Sequence, residues 1–563
     1  MREWLPPDHP VWTVIAVVGR LDTSAFHQRR RVGGVGRAGY DPDMLLTLLI
    51  WAWLQGMRSS RRIERACSDV VSYRVICAAD GPDHVTIARF RADNHRACEQ
   101  LFAQVLALAA QLGLGRLETV ALDGVKIASN ASLAANRTTS GLARAAEAEA
   151  ARIAEAAVAA HAAADAAEDA LHGVDNPGSV PAELTDPQVL ADRIEQAKAQ
   201  LGSLSGNPAQ TTESVQPQPV RRNRAARIAQ AQARIEAEVT AERAERQALV
   251  GTYLARIAAG DQITGPIPVE AKVALAERQL ATAIAAAQAK HARRAAVDAI
   301  PLGQRHSPGR RPVPVEDNAR VRQAHARLDK ARAAEATRAQ DEAKVDGRMA
   351  NVTDPQSRMQ PLRGGGWVQG YNCQAVTAAD GLIVATGVGT SPVDCKYYRD
   401  MVDTAVAAAE VIARHRPPDP SDEAAAESIG ILLADAGYCS RENAGYCSRE
   451  NLTAPGPNRL IATGKSRDLH AAANQNPADG APPDDFDPIA QMQHRLRTPD
   501  GIATYAMRSH IAETPFGHAK HNLGFRRFTG RGLARASSEW DFHTAVHNIG
   551  KILGHLAGSP LPA

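Results

Sequence analysis

The sequence predicts an α/β protein: a mixed sheet with flanking helices, interrupted after its first strand by a long helical insertion and preceded by an all-α region. Three observations carry this. RLETVALDGVKIASNASL (116–133) reads as a strand ending in a polar Asp-Gly turn. From 134 to 345 the composition shifts to Ala, Glu, Arg and Gln at helical spacing. After 346 strand signals return. At 563 residues the chain exceeds one ordinary core and suggests about three or four units.

Residues 1–115 alternate apolar helical stretches with basic clusters, as in a helical DNA-binding domain. DPDMLLTLLIWAWLQG (41–56) offers Asp41 as N-cap, Pro42 at the first helical position and Gly56 just past the end. RSSRRIERA (58–66) and HVTIARFRADNHRACEQLFAQVLALAAQLG (84–113) follow as amphipathic pieces of helix-turn-helix character. Arg58, Arg61, Arg62, Arg65, Arg89, Arg91 and Arg96 fall between apolar positions. That is the pattern of helices packing on one face and meeting phosphate on the other; solvated faces are the alternative.

The insertion (134–345) contains ARAAEAEAARIAEAAVAAHAAADAAEDAL and similar runs, broken by Pro-containing segments at 177–187, 208–219, 266–268 and 301–314. Strong helix formers between Pro stops imply several long helices arranged as antiparallel coiled-coil hairpins, with a partly disordered low-complexity segment as the competing reading. The strand-rich part (346–563) opens with GGWVQGYNCQAVTAADGLIVATGVGT (365–390), two β-rich runs around Ala-Asp-Gly that form a hairpin signature. A helix at 396–415 follows, then GILLADAG and NRLIATGK (458–465) as further strands. Residues 466–500, rich in Pro, Asp and Asn, read as an exposed loop, and 505–553 as helices around a basic, Gly-punctuated turn.

The totals exclude several classes. Lys+Arg is 65 against Asp+Glu 62, a formal net of +3, too mild to identify a nucleic-acid binder by itself. The seven cysteines form no CxxC pair, so neither a zinc knuckle nor a disulfide framework is indicated, and the chain reads as a reduced, cytoplasmic protein. The longest apolar run, MLLTLLIWAWL (44–54), is about half the ~20 residues a membrane span needs, so no membrane or export role is expected.

Three carboxylates stand at the margins of these elements: Asp123 at the exit of the first strand, Asp435 at the exit of ILLA, and Glu513 on or just before a helix. Each has an ordinary explanation as a turn, a strand-end cap or a helix-start charge. Jointly they matter more, because the carboxyl ends of adjacent strands share one crevice and a helix can lay a third acid across it. Such a trio suits hard divalent cations: two Mg²⁺, or Mn²⁺, spaced for phosphodiester chemistry. A polyanion would need basic partners, for which Lys126, Arg508, Lys520, Arg526, Arg527 and Arg531 are candidates, with Phe525, Phe528 and Trp540 as stacking or packing partners.

ALDGVKIASNAS, NVTDPQSRMQ with GGWVQGYNCQAV, LLADAGYCSREN and ETPFGHAKHNLGFRRFTGRGL together resemble the DDE transposases of bacterial insertion sequences. GRAGYDPDMLLTLLIWAWLQGMRSSRRIERA resembles the InsH-type N-terminal domain of the same group. The resemblance implies a ribonuclease-H-like catalytic fold in which Asp123, Asp435 and Glu513 hold Mg²⁺. It implies cutting and rejoining of double-stranded DNA at terminal inverted repeats, with a homodimer in the synaptic complex and a nucleoid-associated location. Tyr505, Arg508 and Lys520 match the family's tyrosine, arginine and lysine around the glutamate, although in some related groups the arginine stands one residue nearer. A hydrolytic nuclease of the same fold and a disabled, transposase-derived DNA-binding protein are the rival readings.

One departure is plain: AGYCSREN at 436–443 recurs at 444–451. Slipping the strand by eight would put Asn443 where Asp435 belongs, and a neutral amide cannot replace an anionic ligand. The first copy should therefore keep the strand and the metal. The extra residues would form a loop or about 2.2 helical turns, a cheap insertion in entropy terms. Elsewhere, His543 and His547 have the spacing of a zinc pair without the rest of a zinc motif, so packing is expected. Asp394 could be an accessory acid or a helix-start charge, and Gly364–Gly366 precede a strand, so no phosphate loop is inferred.

Overall fold

The computed structural model describes residues 2–28, 30, 39–172, 188, 192, 224–261, 263, 267–301, 310–343, 347–362, 364–418, 428–439, 452, 455–464, 466–483 and 487–557. These fall into two compact units, 1–134 with 261–267 and 356–563, and 135–260 with 268–355.

The strands in chain order are β1 (Thr119–Ala128), β2 (Asn136–Thr138), β3 (Met349–Asn351), β4 (Arg358–Pro361), β5 (Trp367–Ala378), β6 (Ile383–Gly389), β7 (Ile431–Ala434) and β8 (Asn458–Ile461). The first unit holds a mixed sheet in the order β4-β5-β1-β7-β8, with β6 also paired to β5. β1 runs antiparallel to β5 and parallel to β7, and β7 runs parallel to β8. β5 and β6 form the hairpin expected from the sequence, turning at Gly381 with φ +82°.

The helices are α1 (Pro10–Val18), α2 (Ser24–His27), α3 (Pro42–Leu54), α4 (Ser60–Asp69), α5 (Val71–Ile76), α6 (His84–Asp93), α7 (His95–Gln111), α8 (Thr139–His172), α9 (Arg224–Ala259), α10 (Val269–Asp298), α11 (Ala319–Ala343), α12 (Tyr398–His415), α13 (Ser466–Gln475), α14 (Pro488–Arg495), α15 (Pro499–Gly517) and α16 (Leu533–His555). α3 starts as its sequence dictates: Asp41 Oδ1 accepts from the N–H groups of Asp43 and Met44 at 2.8 and 3.3 Å. Every residue from Leu45 to Trp53 is buried, so the helix is apolar all round and must be enclosed rather than laid on a surface. The sequence suggests a separate helical domain over 1–115; in the structure one apolar core instead runs through α3, α7, β1, β5 and α16. Trp53 marks the join, meeting Phe542 edge-on at 4.9 Å and Phe525 at 6.0 Å.

In the second unit α9 packs against α8 and α10, and α10 against α11. Small and aliphatic side chains line these contacts: Leu142, Ile228, Ala231, Ile235 and Ala350 in one cluster, Ala276, Leu328 and Ala331 in another. Arg246 reaches Glu270 at 2.7 Å and Arg348 reaches Glu242 at 2.6 Å. The breaks expected at 177–187 and 208–219 lie outside the described residues.

Residues 466–500 depart from the expected loop. They contain α13 and α14, because the Pro and Asp residues there cap helices: Asp487 accepts from the Ala490 N–H at 2.8 Å and Pro488 occupies the first turn. β7 is ILLA, and the first octapeptide copy begins directly after it as a short 3₁₀ turn, Ala436–Cys439. The second copy lies outside the described residues.

Candidate active site

The parallel pairing of β1 with β7 ends with Leu122 opposite Ala434, so the next residue on each strand is an aspartate, Asp123 and Asp435. β1 continues to Ala128, so Asp123 is buried in mid-strand opposite Ala375 of β5, not at a strand exit or in the Asp-Gly turn the sequence suggests, while Asp435 directly follows the end of β7 beside it. Asp123 Oδ1 accepts from the Gly124 N–H at 2.7 Å, and Asp435 Oδ1 accepts from the Gly437 N–H at 2.8 Å. α15 packs across β1, β5 and β7 and carries Tyr505, Arg508 and Glu513. The helix follows tightly on α14: a Cβ at Gly501 would fall 1.9 Å from the Arg495 carbonyl oxygen.

Arg508 joins two of the acids. One guanidinium nitrogen donates to Asp123 Oδ2 at 3.3 Å, and the other stands 3.5 Å from Glu513 Oε1. Burial works against its charge, but Tyr505, Asp123, Asp435 and Glu513 outweigh it and hold the guanidinium above its ordinary pKa. The three acids do not chelate one point here; a cation from the chain itself stands between two of them. Among the described residues, the metal-ligating side chains that come within 4.8 Å of one another are His27, Asp41 and Asp43. Those are accounted for by the α3 cap, the His27–Asp43 contact at 3.0 Å and the Arg30–Asp41 contact at 3.1 Å.

Asp394, Asn372, Gln374 and Tyr438 complete the surroundings. The fully buried Tyr438 donates its hydroxyl to Gln374 Oε1. Burial first, then Asp394, Asp123 and Asp435, push its phenol well above its ordinary pKa. Sequence reasoning missed Asn372 and Gln374, although polar residues two apart within an otherwise apolar strand are the signal of a functional face.

The basic residues separate into inner and outer groups. Lys126 turns inward, 2.9 Å from Asp394 Oδ1 and 3.1 Å from the Pro392 carbonyl, so it is engaged with protein rather than presented to a phosphate. Arg58 is likewise structural: it donates to the carbonyls of Gly524 and Arg527 at 2.8 and 3.0 Å and lies over the Phe525 ring. Tyr505 is buried, as are Phe525, Phe528 and Trp540, which corrects the stacking role considered for those three aromatics. Arg61, Arg62 and Arg65 are exposed on α4 opposite Ile63, Ala66 and Cys67. Arg526 and Arg527 are exposed on a turn that pairs alongside the last residue of β1, with Ala128 N–H donating to the Arg526 carbonyl and the Phe528 N–H donating to the Ala128 carbonyl. Glu539, buried on α16, fixes this turn by accepting from Thr529 and Gly530. Arg531 donates to the Asn130 carbonyl at 3.0 Å, and Lys520 is near enough to the buried Cys373 to oppose the rise that burial imposes on its thiol.

The histidine pair packs, as expected. His543 stacks on Phe525 at 4.5 Å, and His547 Nε2 lies 3.0 Å from the Gly381 carbonyl oxygen. Burial lowers the His547 pKa from 6.5 to about 4. The unfolded chain then binds the proton first on acidification, so this stabilisation is complete above pH 6.5 and is lost as pH falls to about 4. The loss amounts to roughly 3 kcal/mol at 1.36 kcal/mol per unit. Urea midpoints should fall between pH 7 and 4.5, and His547→Asn should narrow the gap; an unchanged gap rules out this source.

Residues 1–93 match the family described as a transposase domain (DUF772), and residues 486–553 match the family described as a transposase DDE domain. Glu513, Arg508, Tyr505 and Lys520 lie inside the second match, whereas Asp123 and Asp435 lie outside both. No curated protein and no solved structure matches the chain. Among the described residues no helix is long and apolar enough to cross a membrane.

Proposed function

Because the chain belongs to the DDE transposases of insertion sequences, we propose that its acidic site cuts DNA at the terminal inverted repeats of such an element and joins the freed 3′ ends to target DNA. The observation that carries the proposal is the register of β1 and β7, which sets Asp123, within β1, and Asp435, just past the end of β7, on neighbouring strands, with α15 bringing Glu513 to Asp123 through Arg508. The sheet order, with three antiparallel strands followed by two parallel to β1, supports a ribonuclease-H-like reading.

The family uses divalent metal ions. The donor set here fits them: three carboxylates, all oxygen ligands, whose charge is met in this structure by a guanidinium. Asp123, Asp435 and Glu513 would hold two Mg²⁺, or Mn²⁺; bound there, the ions supply activation of a water or 3′-hydroxyl and stabilisation of the leaving oxygen. Arg508 stands between Asp123 and Glu513. The exposed Arg526 and Arg527, on the turn paired with the Ala128 end of β1, hold the phosphate backbone leading to the site, with Lys520 beside them. Arg61, Arg62 and Arg65 on α4 supply a further phosphate-binding face. In cleavage, water oxygen bonds to phosphorus as the bond to the 3′ oxygen breaks; in joining, that 3′ oxygen attacks a target phosphorus and displaces another 3′ oxygen. The helices of the insertion, as a coiled coil, serve dimerisation or DNA clamping in a nucleoid-associated synaptic complex.

The doubled octapeptide after Asp435 supports a second reading, a catalytically impaired transposase that still binds DNA. A labelled duplex carrying the repeats that flank the gene, incubated with the full chain, Mg²⁺ and target DNA, should be nicked and then joined. Nicking without joining indicates a nuclease of the same fold. Binding without nicking, cured by deleting 444–451, indicates the impaired form; neither binding nor nicking refutes the proposal.

A further inference from the structure

Asp394 follows β6 at the head of a four-residue 3₁₀ turn, Asp394–Tyr397, but its side chain does not cap that turn. All of its hydrogen bonds go to the sheet: Oδ1 accepts from Lys126 Nζ at 2.9 Å, Asn372 Nδ2 at 2.7 Å and Gln374 Nε2 at 3.1 Å. A helix-start charge therefore does not account for it. Oδ1 takes three donors, one of them the Lys126 ammonium, and hydrogen bonds to a charged partner are the stronger kind.

Oδ2 faces the other way, toward Asp435. A Cβ added at Gly437 would stand 3.4 Å from Asp394 Oδ2 and 2.9 Å from Asp435 Oδ1, and one added at Gly124 would stand 3.0 Å from Asp394 Oδ1. Each aspartate, Asp123 and Asp435, is thus followed within two residues by a glycine that leaves room for Asp394. The link continues through Gln374, which accepts the Tyr438 hydroxyl, and Tyr438, whose N–H donates to the Asp435 carbonyl at 3.2 Å. Asp394 is in this way connected to the backbone of Asp435 by two side chains, Gln374 and Tyr438, both fully buried.

We propose that Asp394 is a positioning residue of the acidic site: it locks β1, β5 and the turn after β7 together so that Asp435 presents its carboxylate at the place where Asp123 does. Lys126 is its charge partner in this role. The inference rests on the transposase reading of the site. Partners one shell out from a metal ligand typically change affinity by about 10- to 100-fold when removed.

The test is Mn²⁺ binding to the full chain, read by electron paramagnetic resonance, beside the thermal midpoint of each variant. Asp394→Ala should weaken Mn²⁺ by about tenfold or more, while Asp394→Asn, which keeps an acceptor, should recover most of the loss. Tyr438→Phe, which keeps the ring and deletes one hydrogen bond, should weaken Mn²⁺ as well, and it decides the matter if Asp394→Ala does not fold. Unchanged affinity in Tyr438→Phe and in the folded Asp394 variants overturns the proposal, as does a lowered midpoint with unchanged affinity. Asp394→Asn as weak as Asp394→Ala also overturns it, since charge alone then explains the effect. Asp435→Asn is the separate control: if it leaves Mn²⁺ binding intact, the reading of the acidic site itself fails.

Discussion

Asp435→Asn lowers metal-dependent nicking of an element end by about three orders of magnitude, with the thermal midpoint nearly unchanged. The substitution is isosteric, and the amide oxygen can still accept from the Gly437 N–H that Asp435 engages at 2.8 Å. The neighbouring sheet contacts are untouched, because β7 ends at Ala434. What disappears is one negative charge from the set proposed to hold divalent cations, and metal-based stabilisation of a phosphoryl transition state is worth several kcal/mol. About 4 kcal/mol corresponds to the stated loss of rate. Single-turnover nicking in Mg²⁺ measures it, and a variant as fast as the parent removes Asp435 from the chemistry.

Arg508→Ala, in contrast, acts first on stability. The side chains of Arg508 and Asp123 are each 8% exposed, so the pair lies in a medium where an uncompensated charge is expensive. Deleting one partner of a buried pair typically costs about 3–5 kcal/mol. Divalent cations should then stabilise the variant more than the parent, since they meet charge that the guanidinium otherwise meets, and ligand binding to the folded state raises stability by linkage. Melting both proteins with and without Mn²⁺ measures the difference. Equal shifts in parent and variant show that Arg508 and the cations do not share the acids.

Much of the frame is legible in the chain because it rests on local chemistry. ILLA, a short apolar run bounded by Gly430 and Asp435, reads as a buried strand, the Ala-Asp-Gly turn joins β5 to β6, and Asp41-Pro42 starts α3. The departures arise where partners are distant in sequence. Arg58 looks like a phosphate ligand until the carbonyls it meets, 466 and 469 residues away, are seen to accept its hydrogen bonds. Lys126 and Asp394 are 268 positions apart, and nothing in the spacing of either announces the other. Pro and Asp at 466–500 are ambiguous for a different reason: the residues that favour loops are those that begin helices, and packing decides between them.

Trp53, set among Phe525, Phe542 and His543, has a consequence for how such elements diversify. An N-terminal segment that shares its interior with the last helix cannot be exchanged for that of another element as an independent cassette. If the outer face of α4 reads the element ends as proposed, a new end specificity comes through substitutions there, or through replacement of α3 and α16 as a matched set.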